Sequence, residues 1–143
     1  MSFRYRYLED VALADSAFEI HADSWDGLFV GATEAMTKVM VDLDDLRPEH
    51  HRQLQVEAAT VDDLLYDWLS ELVYLKDTDG LLVRSADVKI QAGPLWLAQG
   101  TLHADMIDRT RHHFGQDVKA VTYHLFEVTH EGVDYAAKVV LDI

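Results

Sequence analysis

Cysteine is absent from all 143 residues, so neither a disulfide framework nor a thiolate metal site can form. Long apolar runs are missing too. None approaches the roughly 18 residues needed to cross a bilayer, so no membrane association is expected. Met1-Ser2-Phe3-Arg4 leads straight into a strand-like segment without the apolar core of a signal peptide. The expected compartment is the cytoplasm. Basic residues are scarce, with 12 Lys and Arg against 26 Asp and Glu and a net charge of −14. Such a surface repels a phosphate backbone, which argues against direct nucleic-acid binding through a basic stripe. A role near RNA would then run through a protein partner. The same charge reads either as a soluble, salt-tolerant surface or as one that selects partners. Nucleophile elbows, phosphate-cradling glycine loops and dinucleotide fingerprints are also lacking. Gly100 stands alone, and Gly93-Pro94 reads as a turn.

What remains is an ordinary globular composition, 49% apolar and 27% charged. The length suits one domain, residues 1–143, burying about two-thirds of its unfolded surface. Tyr5, Tyr7 and Val11 open an extended segment ending near Ala14-Asp15, and Ala17 to Ala22 follows as a strand. Asp23 or Ser24 caps a first helix, whose stripe of Trp25, Leu28, Phe29, Ala32, Met36, Val39 and Met40 reaches about Val41. Asp42 to His50 is an acidic loop, and Gln53 to Ala59 alternates as a strand. Thr60 and Asp63 resemble a capping box for a second helix. Its stripe runs from Val61 through Leu64, Leu65, Trp68, Leu69 and Leu72 to Leu75, and it stops near Lys76.

Beyond Gly80 the chain reads as strands: Leu81 to Arg84, Asp87 to Ala92, Trp96 to His103, Val118 to Val128 and Val133 to Ile143. Asp105 to Gln116 is a polar connection rich in Arg and His. His130-Glu131-Gly132 makes the last turn. This order predicts an α+β fold, two helices packed on a mainly antiparallel sheet.

The chemistry concentrates at the end of the chain. Tyr135, Ala137, Val139, Leu141 and Ile143 line one face of the last strand, so Asp142 points the other way with Lys138 and Val140. The Asp142 carboxylate and the main-chain and terminal oxygens of Ile143, on adjacent residues, are hard donors within a few ångströms of one another. A second acid such as Asp15 would complete the core of a cation site, suited to Ca²⁺ or Mg²⁺. Alternatively, the acids simply face water. The eight histidines do not suggest zinc. His50-His51 and His112-His113 are adjacent pairs that point apart on a strand, and no His-x-His or His-x₃-His occurs. Thr122 and His124 share one face of their strand. They read either as hydrogen-bond donors into a cleft or as a satisfied half-buried pair.

The string Val118-Lys119-Ala120-Val121-Thr122-Tyr123-His124 resembles the hallmark strand of the archease family. The likeness extends to Tyr7-Leu8-Glu9, to Ala14-Asp15 as the end of a histidine-threonine-alanine-aspartate motif, and to Asp63-Leu64-Leu65 with Trp68-Leu69 and Glu71-Leu72. It closes on Val139-Val140-Leu141-Asp142-Ile143. The resemblance implies two fused strand–helix–strand–strand modules. It also implies an activator, with no reaction of its own, of an RtcB-type RNA ligase in tRNA splicing and RNA repair, which promotes ligase guanylylation and multiple turnover. By the same resemblance a divalent cation, Ca²⁺ with Mg²⁺ or Mn²⁺ as alternatives, is held by Asp15, Asp142 and the main-chain oxygen of Ile143. Lys119 would contact a phosphate or an acidic partner.

Three departures stand out. Leu13 and Ala12 replace the motif's threonine and histidine, and the stretch after Glu9 is two residues longer, which makes Asp10 a rival to Asp15. Ala104-Asp105 stands where the family often has glycine-glutamate. Two other functions compete with the activator reading, a metal-dependent phosphoester hydrolase using the same acids with Thr122 and His124, and a chaperone-like binding protein.

Overall fold

A computed structural model describes residues 2–9 and 15–143. Its elements are β1 (Phe3–Leu8), β2 (Asp15–Ala22), α1 (Trp25–Met40), β3 (His50–Ala58), α2 (Val61–Asp79), β4 (Leu81–Gln91), β5 (Trp96–Met106), β6 (Ala120–Glu131) and β7 (Asp134–Asp142). The α+β class is as expected, and the strands divide between two antiparallel sheets, β1-β2-β7-β6 and β3-β5-β4. Each helix touches both sheets.

Ser24 caps α1, its hydroxyl accepting from the Gly27 N–H at 3.0 Å. Contact with both sheets widens the buried arc beyond the expected stripe, so that Thr33 and Thr37 are buried as well. Their hydroxyls are satisfied. Thr33 Oγ1 donates to the Phe29 carbonyl and accepts from Trp68 Nε1, while Thr37 Oγ1 donates to the Val83 carbonyl at 2.7 Å. Trp68 from α2 meets Phe29 from α1 edge to face, with ring centroids 6.4 Å apart.

Several boundaries differ from expectation, three of them for a clear local reason. Helix α2 runs a turn further, through Asp79, because Gly80 adopts φ 66° and its N–H caps the carbonyls of Leu75 and Lys76. The two short strands expected between Leu81 and Ala92 are one strand with an irregularity between Val83 and Ser85. Alternation breaks there because the extra residue, Arg84, leaves the ladder and reaches Glu34 at 3.3 Å. Strand β3 starts at His50, earlier than its apolar alternation suggested, because its first residues are polar on both faces and exposed.

Candidate functional site

Strand β7 lies between β2 and β6. Leu141, Val139 and Ala137 join the core, so Asp142 projects from the opposite face. In the β2–β7 ladder Asp142 lies directly opposite Asp15, and in the β6–β7 ladder it lies opposite Ala120. Opposed residues of an antiparallel pair share a face. Asp15 and Asp142, from nearly opposite ends of the chain, are therefore neighbours at one end of the four-stranded sheet, and both are half-buried. Ile143 follows at once, half-buried against the core. The Lys119 N–H donates to the Asp142 carbonyl at 2.8 Å, which ties down the end of the strand. Asp10 lies outside the described residues.

Two carboxylates and a main-chain oxygen make a hard-oxygen donor set. Among the described residues no three His, Asp or Glu side chains are arranged to hold a metal ion. A cation at this strand end would thus rely on the main-chain oxygen and on water to complete its coordination.

Thr122 and His124 do not act together. The β6–β7 register shifts between Thr122 and Glu127, and Leu125 takes φ 54°, so Thr122 pairs with Val140 while His124 falls in the stretch without a register partner on β7. Thr122 Oγ1 donates to the Val140 carbonyl at 3.1 Å, a satisfied structural contact, and His124 is exposed. The irregular segment rests on α2. The Tyr66 ring stacks on Tyr123 with centroids 3.8 Å apart, and its hydroxyl donates to the Val121 carbonyl.

The connection expected from Asp105 onward begins two residues later, because β5 runs through Met106, and the end of that strand carries an anchor that alternation gave no hint of. Asp105 is 5% exposed, and its Oδ2 accepts from the Arg47 backbone N–H, from Arg111 and from His112 Nε2, each at 2.9 Å. His112 Nδ1 in turn accepts from the Asp108 N–H, so the ring proton on Nε2 points at Asp105. Burial pushes the Asp105 carboxyl up, but these three donors more than offset it and hold it at about 2. The anchored connection then delivers Lys119 and Ala120 beside Asp142.

A family model described as "Archease protein family (MTH1598/TM1083)" matches residues 5–143. The chain belongs to the archease family. Among similar proteins, the archease of Methanopyrus kandleri is 34% identical over 131 residues, covering 91% of this chain and 94% of that protein. The archease of Pyrobaculum neutrophilum is 30% identical over 141 residues, covering 97% and 95%. The solution structure of protein 1598 from Methanobacterium thermoautotrophicum superposes with a TM-score of 0.78 at 28% identity, over 99% of this chain and 98% of that one. The crystal structure of a Thermotoga maritima protein described as "an archease, possible chaperone" gives 0.63 at 21% identity, over 92% and 93%, a likeness of fold alone. No described helix of this archease is long and apolar enough to cross a membrane.

Proposed function

We propose that this archease is a non-catalytic activator of an RtcB-type RNA ligase in tRNA splicing and RNA repair, which promotes guanylylation of the ligase and its repeated turnover in the cytoplasm. Asp15, Asp142 and the main-chain oxygen of Ile143 hold a divalent cation, Ca²⁺ in preference to Mg²⁺ or Mn²⁺. The reading rests above all on one observation, the opposition of Asp15 and Asp142 across the β2–β7 ladder. Family membership over residues 5–143 supports it, as does the net charge of −14, which suits a protein partner better than bare RNA. The bound cation would supply positive charge that holds or bridges phosphates. The chain's own acids position that charge, and the Lys119–Asp142 backbone bond keeps the strand end from fraying. The hydrolase alternative loses the hydroxyl of Thr122, which is spent on a carbonyl.

The deciding experiment is a guanylylation and multiple-turnover assay of the cognate ligase with and without this protein, repeated with chelator and with Asp142→Ala. Stimulation that vanishes with chelator and with the variant is the expected result. Full stimulation by a folded Asp142→Ala protein would overturn the mechanism. Phosphoester turnover by this protein alone would favour the hydrolase.

A further inference from the structure

Local spacing in the sequence argued against a histidine metal site, yet the fold brings together two histidines that lie 52 positions apart. His51 on β3 and His103 on β5 are register partners, and their Nδ1 atoms stand 2.9 Å from each other. The other nitrogen of His103, Nε2, lies 2.8 Å from Oδ2 of Asp87 on β4. An ionised carboxylate only accepts, so Nε2 carries a proton and donates it to Asp87. When His103 is neutral, its Nδ1 is then a bare lone pair aimed at Nδ1 of His51. The two facing nitrogens share one proton between them.

We propose that His51 and His103 form a binding site for a divalent cation of borderline softness, Zn²⁺ in the first instance, which replaces the shared proton. Zinc–nitrogen bonds of about 2.0–2.1 Å at a tetrahedral angle need nitrogens roughly 3.3 Å apart, so the rings must open by a few tenths of an ångström and tilt until both lone pairs, which now face each other, converge on the ion. Asp87 is not a ligand. It holds the His103 tautomer and the orientation of the ring, as a carboxylate behind a metal-bound imidazole does. His50 belongs to the other face by strand alternation. The next pairs on the same face, Gln53 with Thr101 and Gln55 with Gln99, bond each other, so water fills the remaining positions. Strand β3 is an edge of its sheet, so a cation here staples that edge to the central strand β5. This site is separate from the oxygen donors at the end of β7, and it prefers a different class of cation.

The test is calorimetric titration of ZnCl₂ into the full-length protein with excess Ca²⁺ and Mg²⁺ present, so that oxygen sites are already covered. Expected is saturable binding of one Zn²⁺ per chain that raises the unfolding temperature. His51→Gln and His103→Gln should each abolish it, and Asp87→Asn should weaken it by about tenfold. All three side chains lie on a polar outer face, and circular dichroism checks that the variants fold. Long-range ¹H–¹⁵N spectra of the parent should show the His51 and His103 Nδ1 signals moving on zinc addition. Absence of saturable binding overturns the proposal. So does unchanged binding in both histidine variants, or movement of other histidine signals alone.

Discussion

Asp15 and Asp142 face each other across the β2–β7 ladder as two half-buried acids, with no basic register partner among the described residues. Directly opposed side chains have Cβ atoms about 5 Å apart, and like charges at that spacing destabilise a sheet. The pair is thus a local weakness unless something positive lies between the two. In chelator, Asp142→Asn is expected to raise stability by about 0.5 kcal/mol, because it removes one of the opposed charges. Added Ca²⁺ should stabilise the parent protein and leave the variant unmoved, reversing their order. Urea unfolding at several Ca²⁺ concentrations reads both signs, and an equal Ca²⁺ response in the two proteins contradicts the assignment.

Asp105 supports a different prediction, about folding. Its carboxylate serves three donors, and Asp105→Asn leaves the Arg111 charge and the His112 N–H facing a neutral amide in a nearly closed site. A loss of about 3 kcal/mol is expected, as when one partner of a buried ion pair is removed. The folded carboxyl sits at about 2 against an ordinary unfolded value near 3.9. A depressed folded value means stability that is complete above the unfolded one and lost as pH falls toward 2. The parent should therefore lose stability between pH 4 and 2 more steeply than the variant does. Denaturant midpoints across that range measure the difference.

Sequence periodicity reports what a residue does within its own element, and at that level it matches the fold. Trp25, Leu28, Phe29 and Met36 mark α1, Leu64 through Leu72 mark α2, and the alternation of β7 puts Asp142 on the face away from the core. It fails where a partner decides the outcome. The break at Arg84 looked like a strand end because a bulge and a turn interrupt alternation in the same way. Thr122 keeps a partner on β7 and His124 does not, a register shift that only the pairing of the strands reveals. Asp105 reads as a loop acid until Arg47, Arg111 and His112 converge on it. The meeting of Asp15 with Asp142 could be suspected from the chain, but the register that joins them is a property of the folded sheet.

His21 is expected to make stability depend on pH near neutrality. Its Nε2 lies 2.8 Å from Glu19 and its Nδ1 3.0 Å from Asp134. Hydrogen bonds that the ring donates to Glu19, and then to Asp134, raise the imidazole above its ordinary value, against a smaller opposing effect of burial. A raised folded value means that the contribution is complete below the unfolded value, near 6.5, and fades as pH rises through the folded one. The parent should lose more stability than His21→Gln as pH is raised from 6 through that window. NMR titration of the His21 ring gives the folded value directly, and a value at or below the ordinary one would refute the prediction.

Gly100 lies on β5 where Trp68 of α2 packs against the three-stranded sheet. A Cβ there would stand 2.5 Å from the Asp87 carbonyl oxygen and 3.1 Å from the Trp68 ring. The first contact is with backbone held in the β4–β5 ladder, since Val88 is the register partner of Gly100. It cannot be relieved by turning a side chain. Gly100→Ala is therefore expected to destabilise by about 2 kcal/mol, typical of overpacking a filled core, and to alter Trp68 fluorescence. Trimming the ring with Trp68→Phe removes only the second contact, so the double variant should recover little of the loss. Substantial recovery in the double variant would mean that the ring, and not the Asp87 carbonyl, sets the limit on this approach.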